Sequence, residues 1–391
     1  MRMAYKFPLS FDSWDNQERL AINKVVEDGF FTMGKRVKQF EKDFSIYIGS
    51  RFSVMVNSGS SANLLMIASL FYSQDDKKKL KRGDEVIVPA VSWSTSYYPL
   101  YQYGLKLKFV DIDLETLNYD LKKLKEAVSN KTKMILAVNL LGNPNDFKEI
   151  KKIIGGKNII LIEDNCESLG AEYENKKTGS IGILGTFSFF FSHHISTMEG
   201  GMIVTNNEEL YHILLCLRAH GWTRNLPEEN HVALKSNDEF KESFNFVLPG
   251  YNLRPLEMSG AIGIIQLKKF PDFLIQRKKN AKMFLEKMQK YDYIYTQKEI
   301  GFSSWFGFSI VLKPGFNINR EQIIKILNKK GFECRPIVAG NFANNKVVEF
   351  FDKELHGELK NANWIDKNGL FIGNHHLNMK EAIETLDTMD I

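Results

Sequence analysis

Three short segments of the sequence hold side chains whose types and spacing could do chemistry. In VMVNSGSSAN a predicted strand ends at a small polar turn, residues 57–61, and a predicted helix follows. In IILIEDNCES the carboxylates of Glu163 and Asp164 end a predicted buried strand, and in SFFFSHHISTMEGG a loop carries His193 and His194. A helix start binds phosphate through free amides, a carboxylate pairs with a protonated nitrogen, and an imidazole moves protons near neutral pH.

Each segment also has a simpler structural interpretation when it is taken alone. The first fits a helix capped by serine after a glycine turn, and Asp164 fits the N-cap of the next helix. A loop histidine is usually solvated or hydrogen-bonded. Neighbouring histidines do not easily chelate one ion, and no third ligand is spaced for zinc, so we expect no metal site. Because Glu163 and Asp164 are adjacent in a strand, we expect them on opposite faces rather than as a paired acid and base.

The elements that must position these segments are predicted by short apolar runs that alternate with helical patterns. The runs are bounded by Gly, Asn, Asp or Lys, and we predict strands at 85–90, 106–112, 133–141, 159–164, 186–191 and 202–205. Helix-length segments such as 120–129 and 145–154 separate several of them. Continuous apolar runs are typical of strands covered on both faces, so the sequence predicts an α/β fold with a mostly parallel sheet. Ligands of such sheets gather at the carboxyl ends of the strands.

The pattern changes after Gly250. The segments LRPLEMSGAIGIIQLKKF and PDFLIQRKKNAKMFLEKMQKY predict two long helices, WFGFSIVL (305–312) predicts a strand, and REQIIKILNKKGF predicts a helix closed by Gly331. We therefore predict a large α/β domain over residues 1–284 and a smaller C-terminal α+β domain over residues 285–391. A chain of 391 residues is long enough for this division.

The composition excludes several classes of protein. Hydrophobic residues make up 43% and charged residues 25% of the chain, which excludes disordered and fibrous proteins. The formal net charge of +5 is too small for a nucleic-acid-binding surface. Three scattered cysteines predict reduced thiols and cannot supply the four ligands of an iron–sulfur cluster. Because the sequence has no apolar leader and no run of 18 apolar residues, we expect a cytoplasmic protein without membrane segments.

In this order and spacing, the three segments resemble the sugar-nucleotide aminotransferases of the pyridoxal-phosphate (PLP) fold type I superfamily. The resemblance covers nearly the whole chain, from MGKRVKQFEKDF through GYNLRPLEMSGAIG to the small domain. It implies an aminotransferase-like fold and a cofactor that is PLP or pyridoxamine phosphate (PMP). It also implies a homodimer whose active sites borrow residues from the neighbouring subunit.

The resemblance further implies which residues contact the cofactor. The phosphate would lie against a Gly–Ser turn and a second serine, and the ring would stack on a tryptophan and pair its nitrogen with an aspartate. A glutamate would replace the usual glutamine near the ring hydroxyl, and an asparagine would reach across the dimer interface. In this order the residues are Gly59, Ser60, Ser188, Trp93, Asp164, Glu167 and Asn252.

One departure from the aminotransferase pattern has a chemical consequence. In that family the lysine that binds PLP covalently stands six residues before the Glu of EGG, and counting back from Glu199 reaches His193. No lysine occurs between Lys177 and the end of this loop. An imidazole has no primary amine to condense with an aldehyde, so we expect that the chain does not follow the ordinary aminotransferase cycle.

The variant with SHHI and TMEGG is similar to the lysine-free sugar 3-dehydratases of the same fold. This similarity implies that glutamate converts PLP into PMP, whose amine condenses with the 4-keto group of a nucleotide-linked 4-keto-6-deoxy sugar. The 3-hydroxyl then leaves, and the products are ammonia and a 3,6-dideoxy-4-keto sugar. The overall resemblance favours a GDP-linked mannose derivative, whereas no short motif identifies the nucleotide. Sugars of this type usually enter surface polysaccharides such as lipopolysaccharide O-antigens.

The resemblance assigns acid/base catalysis to His193. Its unperturbed pKa of about 6.5 lets it take up and return a proton near pH 7. His220 of LRAHGWTRN matches a histidine near the active site that would support it, and Arg224 is a candidate for the substrate diphosphate. Both also fit simpler roles, as a helix-end residue and a solvated arginine. A contribution from His194 stays open.

Two alternative functions also stay open at this point. The chain could be a transaminase that makes an amino sugar, which the missing lysine disfavours. It could also be a cofactor-binding homologue without turnover, which the retained phosphate turn, Asp164 and Ser188 disfavour. We interpret the aromatic runs SFFF and SSWFGF as core rather than as surfaces that stack on a nucleotide.

Overall fold

The computed structural model describes residues 5–388, which contain one large sheet, one small sheet and a short two-stranded ribbon. The strands are, in chain order, β1 (Phe52–Val56), β2 (Glu85–Pro89), β3 (Lys106–Val110), β4 (Thr132–Val138), β5 (Ile160–Asp164), β6 (Glu172–Tyr173), β7 (Lys176–Lys177), β8 (Leu184–Ser188), β9 (Gly201–Thr205), β10 (Ile294–Tyr295), β11 (Gly307–Leu312), β12 (Cys334–Arg335), β13 (Lys353–Leu355) and β14 (Gly369–Gly373).

Helices cover the sheets and connect their strands. They are α1 (Asn16–Asp28), α2 (Lys35–Ile48), α3 (Gly59–Phe71), α4 (Ser94–Gln102), α5 (Leu121–Ala127), α6 (Phe147–Ile154), α7 (Glu208–Arg218), α8 (Glu239–Glu242), α9 (Glu257–Met288), α10 (Arg320–Lys329), α11 (Lys360–Asn368) and α12 (Lys380–Glu384). Short 3-10 turns lie at Leu140–Gly142, Phe342–Asn344, Lys346–Phe350 and Thr385–Thr388.

The large sheet has the strand order β1-β9-β8-β5-β4-β2-β3-β13. Pairing is parallel from β8 through to β13, and only the two pairs that involve β9 are antiparallel. Strands such as β2 and β5 are buried along their whole length, because helices cover both faces of the sheet. The predicted α/β fold with a mostly parallel sheet is confirmed.

Strand direction brings the three chemical segments to one edge of the sheet. Because β1 and β8 are each antiparallel to β9, they run in the same direction as β5, β4 and β2. The segment after Val56, the carboxylate of Asp164 and the loop after Ser188 therefore emerge from the same edge. The side chain of Ser58 caps α3, and that of Asn207 caps α7, so capping residues fix where the chain turns from strand to helix.

The C-terminal part builds its own four-stranded sheet, β10-β11-β14-β12, which packs with α10 and α12 around a separate apolar cluster. This confirms the smaller α+β unit in the predicted fold class. Helix α9 runs through the predicted boundary at residue 284, and β13 pairs with β3 of the large sheet. The division into residues 1–284 and 285–391 stays a prediction.

The prediction of two long helices after Gly250 was wrong, because one helix of 32 residues, α9, spans most of both segments. A proline inside a helix removes one hydrogen bond and its ring crowds the preceding turn, which usually ends or kinks the helix. Pro271 is tolerated because the helix around it is held by packing: Phe270 is fully buried. Gly263 also lets α2 approach so closely that an added Cβ would lie 2.5 Å from the Phe40 ring.

Two strands are shorter than predicted. The run 186–191 leaves the sheet after Ser188, because the Phe189 N–H donates to the Gly200 carbonyl and closes a loop over residues 189–200. The run 133–141 ends as a strand at Val138 and continues into a 3-10 turn. Both strands therefore stop where the site begins. No helix within residues 5–388 is long and apolar enough to cross a membrane.

Candidate active site

A cavity of about 1140 Å³ opens at the carboxyl edge of the large sheet. Its walls come from the first turn of α3, the start of α4, the end of β5, and the loop between β8 and β9. The small C-terminal unit adds the residues around Phe306 and Arg335. Seven of the ten residues predicted for the site line this one cavity. They are Gly59, Ser60, Trp93, Asp164, Glu167, Ser188 and His193.

The predicted phosphate turn is built as a capped helix start. The Ser58 hydroxyl accepts a hydrogen bond from the Ser61 N–H at 3.1 Å, and α3 begins at Gly59. A Cβ at Gly59 would lie 2.5 Å from the Ser188 Cβ and 3.2 Å from the Cys166 sulfur, so only glycine permits this approach of α3 to β8. The other N–H groups of the first helical turn have no partner within the helix, and they can bind an anion at this wall of the cavity.

Asp164 is a buried carboxylate that its neighbours hold in one orientation. Its Oδ2 accepts hydrogen bonds from Asn63 Nδ2 and from the Ser96 hydroxyl, each at 2.8 Å. Its Oδ1 accepts from the Cys166 N–H at 3.1 Å. Thr186 donates to Asn63 Oδ1 at 2.6 Å, which fixes the amide with its nitrogen toward Asp164. This carboxylate is therefore prepared to meet a cationic group in the cavity.

The three acidic residues of IEDNCES have different surroundings. Glu163 lies on the opposite face of β5, as predicted, where it accepts hydrogen bonds from the N–H groups of Gly179, Ile181 and Gly182. Glu167 lines the cavity and accepts one hydrogen bond from the Leu141 N–H at 2.9 Å. Burial raises the pKa of Glu167 to about 7, and the nearby carboxylate of Asp164 adds to the shift. Glu167 is therefore close to half protonated at neutral pH.

Only one of the twin histidines enters the cavity. His193 lines it between the Phe190 and Phe306 rings, with ring centroids 6.0 and 5.2 Å away. His194 is buried in the core, where its Nε2 lies 3.3 Å from the Ser304 carbonyl oxygen and its ring contacts Phe270. Of the two histidines, only His193 is thus placed to contact a molecule in the cavity.

The imidazole of His193 is a neutral group at physiological pH. Burial, with a smaller contribution from the positive charge of Arg277, lowers the pKa of His193 to about 4. Its Nδ1 is buried and has no hydrogen-bond partner in the described chain. The Nε2 atom is therefore the one that can exchange a proton with a molecule in the cavity.

The cavity wall contains aromatic surfaces and few cations. Trp93, the N-cap of α4, lines the cavity and is largely exposed, as is Phe191. Among the described residues that line the cavity there is no lysine, and the basic side chains are His193 and Arg335. A covalent bond to an aldehyde through a lysine is thus not available from these walls.

The other three predicted residues lie outside this cavity, close to one another. Asn252 pairs with Ala219 in an isolated β-bridge, and its Oδ1 accepts from Arg254 Nε at 3.0 Å. The His220 ring lies 4.6 Å from the ring of Trp222, and the Arg224 guanidinium lies 5.5 Å from the Trp222 centroid. Within one chain, therefore, these residues form a basic and aromatic surface apart from His193.

Sequence reasoning missed several residues of the cavity. Phe190, Phe191 and Phe306, which we had interpreted as core, line it, whereas Phe189 and Trp305 are core as predicted. Arg335 gave no signal, because it lies in a two-residue strand more than 140 residues from His193 in the sequence. Asn63 could have been found, since it follows Gly59 by one helical turn on the face toward the sheet.

These walls fit a phosphorylated pyridine better than a metal ion. The glycine cradle at α3 would be filled by any Cβ, and the Asp164 carboxylate suits a protonated ring nitrogen. Trp93 offers an exposed ring face at the same cavity. No group of three His, Cys, Asp or Glu side chains that could hold a metal occurs in the described part of the chain.

Comparisons with known proteins agree with this geometry. The GDP-4-keto-6-deoxy-D-mannose 3-dehydratase of Yersinia pseudotuberculosis is 60% identical over 387 residues, which are 98% of each chain. A crystal structure of GDP-4-keto-6-deoxymannose-3-dehydratase with a trapped PLP-glutamate geminal diamine matches with a TM-score of 0.96 and 58% identity, covering 98% of this chain and 100% of that chain. A mutant of that enzyme with bound GDP-perosamine gives the same values.

The pattern of the DegT/DnrJ/EryC1/StrS aminotransferase family matches residues 12–387, nearly the whole sequence. The family also explains why the fold type I resemblance covered both the large and the small unit. This chain belongs to the DegT/DnrJ/EryC1/StrS aminotransferase family.

Proposed function

We propose that the chain is a PMP-dependent dehydratase that removes the 3-hydroxyl of GDP-4-keto-6-deoxy-D-mannose. Glutamate supplies the amine and the two electrons, and is converted into 2-oxoglutarate. The products are GDP-4-keto-3,6-dideoxymannose and ammonia. The identity of 60% to an enzyme of this name, over almost the whole length of both chains, supports the GDP-linked sugar as substrate.

One observation carries the proposal. The cavity combines the start of a helix, a buried carboxylate and the neutral imidazole of His193, and no lysine is found among its described walls. An aminotransferase of this fold uses a lysine amine to release its product and restore the aldehyde. The lysine-free cavity retains the means to bind the cofactor and to move protons, which suits an elimination that ends in hydrolysis.

We assign the cofactor contacts to seven residues. Gly59, Ser60 and Ser188 would hold the phosphate, Asp164 the ring nitrogen, Glu167 the ring hydroxyl and Trp93 the ring face, and Asn252 would come from a second subunit. When bound, the cofactor supplies an amine for the sugar's keto group and a ring that accepts electrons. Holding it without a covalent bond demands the rigid cradle that Asn63 and Ser96 give Asp164.

We assign general acid/base catalysis to His193. With a pKa of about 4, the imidazole is neutral at pH 7 and its Nε2 is free to accept a proton. The Phe190 and Phe306 rings flank it and exclude water from its sides. The proton taken up at Nε2 can then pass to the departing hydroxyl, which leaves as water. Such positioned proton transfer is worth about 10²- to 10⁴-fold in rate.

A second copy of the chain would complete the site. His220, Arg224 and Asn252 form a surface with Trp222, and a guanidinium beside an indole suits a diphosphate beside a purine. Because this surface lies apart from the cavity of its own chain, we propose that it faces the cavity of a partner in a homodimer. We also propose that the enzyme acts in the cytoplasm, where glutamate and nucleotide sugars are available.

Product stoichiometry tests the proposed function. The protein, loaded with PLP, is incubated with glutamate and GDP-4-keto-6-deoxy-D-mannose, and ammonia and 2-oxoglutarate are measured together. We expect them in equal amounts, with a 3-deoxy sugar as product. Release of 2-oxoglutarate with an amino sugar and no ammonia would identify a transaminase, and no release of either would identify a binding protein. A parallel reaction with the dTDP-linked sugar measures nucleotide preference.

A further inference from the structure

The loop that carries His193 gives the imidazole no hydrogen bond of its own. Within residues 5–388 the aromatic contacts of the His193 ring are the Phe190 and Phe306 rings, and Nδ1 has no hydrogen-bond partner. A catalytic histidine is usually oriented by a carboxylate or carbonyl that accepts from its second nitrogen. The direction of this imidazole must therefore come from the backbone that carries it.

That backbone is held at Ser196, three residues after His193. The Ser196 N–H donates to Gln266 Oε1 at 3.1 Å, and the Ser196 carbonyl accepts from Trp14 Nε1 at 3.1 Å. Ser196 and Gln266 are both buried, so the bond between them is shielded from solvent, whereas the bond from the half-buried Trp14 is shielded in part. Both peptide groups of one loop residue are thus fixed by side chains from outside the loop, one on α9 and one before α1.

The orientation of the Gln266 amide is itself determined by a buried charge. Its Nε2 donates to Glu18 Oε1 at 2.8 Å, and Glu18 is fully buried in an ion pair with Lys269 at 2.7 Å. A carboxylate only accepts, so the nitrogen end of the amide must face Glu18. The oxygen end is then turned toward Ser196 N–H and the Ser13 hydroxyl, which donates to it at 2.8 Å.

We propose that Gln266, oriented by Glu18 and Lys269, is a positioning residue that fixes the loop of His193 for catalysis. If the amide were reversed, its nitrogen would face the Ser196 N–H, and two donors would oppose each other. The loop would then release Ser196, and His193 would move with it. A displacement near 1 Å at a catalytic group can cost about 100-fold in rate. The proposal rests on the proposed role of His193.

The test uses two single variants and their combination in the full-length, cofactor-loaded protein. Glu18→Gln gives position 18 an amide that can either donate or accept, so position 18 no longer dictates which end of the Gln266 amide faces it. Gln266→Glu places two carboxylates against each other. We expect each to lower kcat of dehydration about 10- to 100-fold while KM and the cofactor Kd change less than about twofold. In the double variant, the amide at position 18 can donate to the carboxylate at position 266, so the contact again joins one donor and one acceptor. Most of kcat should therefore be recovered.

Matched controls and a second measurement separate positioning from folding. Glu27→Gln and Gln289→Glu make the same changes at exposed positions of α1 and at the end of α9, and should leave kcat unchanged. In the cofactor-free protein, amide hydrogen exchange in the peptide covering residues 189–200 should be faster in the single variants than in the parent. In the double variant its rate should return to that of the parent.

Two results would overturn the proposal: single variants with kcat within twofold of the parent, or a double variant as impaired as Gln266→Glu alone. If the parent protein shows no dehydration, the proposed function fails, and the exchange measurement still decides whether Gln266 holds the loop. Unchanged hydrogen exchange over residues 189–200 would then show that Gln266 does not hold the loop, whatever reaction the protein catalyses.

Discussion

At the scale of single residues, the site depends on how burial sets the charge of each group. Burial keeps His193 neutral, and it raises the pKa of Glu167 to about 7. Asp164 is held in one orientation by three donors that converge on its oxygens. One cavity thus contains a neutral imidazole, an acid that is about half protonated near pH 7, and a carboxylate in a fixed orientation that can pair with a cation. This division of roles is what proton transfer beside an electron-accepting ring requires.

The raised pKa of Glu167 predicts a stability difference that depends on pH. The pKa of Glu167 is higher in the folded protein than its unfolded value of about 4.5. Its contribution to the free energy of unfolding is therefore fully present below pH 4.5 and is lost as the pH rises through about 7. Glu167→Gln cannot ionise. When the pH rises from 5 to 8, the free energy of unfolding of the cofactor-free variant should therefore increase by roughly 1–3 kcal/mol relative to that of the parent.

Urea unfolding at the two pH values measures this gain. Glu229→Gln, a change of the same kind on an exposed loop, serves as the control. If the free energies of unfolding of Glu167→Gln and the parent differed by the same amount at pH 5 and pH 8, the pKa of Glu167 would not be raised in the folded protein.

The sequence could predict part of the cavity wall but not all of it. Asp164 and Ser188 line the cavity because polar residues that end buried strands emerge at one edge of a parallel sheet, whereas their roles there stay a prediction. It could not place Phe306 or Arg335, because the small unit brings them to the cavity from more than 100 residues away. The spacing of residues within a short segment cannot predict a contact with a segment so far away in the sequence.

At the scale of elements, close approach of helix and strand shapes the site. Helix α3 lies against β8 only because position 59 lacks a side chain. Element types were predictable from apolar runs and capping residues, whereas the single helix α9 was not. Proline is a local signal that the chain should turn, and the packing that outweighs it at Pro271 involves α2, which is more than 200 residues distant.

The contact between α3 and β8 predicts that Gly59→Ala weakens cofactor binding. The new methyl group would meet the Ser188 side chain at 2.5 Å and push the helix start away from the phosphate position. We expect the Kd for PLP, from an absorbance titration, to rise about tenfold or more, which corresponds to about 1.4 kcal/mol.

Gly156→Ala is the matched control for this titration, since a Cβ there has no neighbour within 4 Å. It should bind PLP like the parent. If Gly59→Ala also bound PLP with unchanged Kd, the turn before α3 would not be the phosphate site.

At the scale of the whole molecule, we propose that two separate regions of the chain contribute to one active site in a dimer. The cavity contains His193, and the surface with Arg224 and Trp222 lies elsewhere. A symmetric dimer can bring the surface of each chain to the cavity of the other. The sequence predicts this arrangement only through family resemblance, because no pattern within a chain specifies a contact between two copies.

A dimer with shared sites predicts complementation between two inactive variants. We consider a heterodimer, purified with two different tags, of one chain with His193→Asn and one with Arg224→Ala. One of its two sites combines an intact His193 with an intact Arg224, so it should have about half of the parent's activity.

The control heterodimer has both changes in one chain and none in the other. If the sites are shared, each of its cavities contains one altered residue, and it should be inactive. Activity in this control and none in the first heterodimer would show that Arg224 serves the cavity of its own chain.

The most direct measurement is a single turnover by the PMP-loaded protein with GDP-4-keto-6-deoxy-D-mannose. The rate constant for the appearance of the 3-deoxy sugar is compared between the parent and His193→Asn at equal cofactor occupancy. We predict that His193→Asn binds PMP with an unchanged Kd and forms the 3-deoxy sugar at least about 100-fold more slowly. A rate within about threefold of the parent would contradict the assignment of His193 as the group that moves the proton.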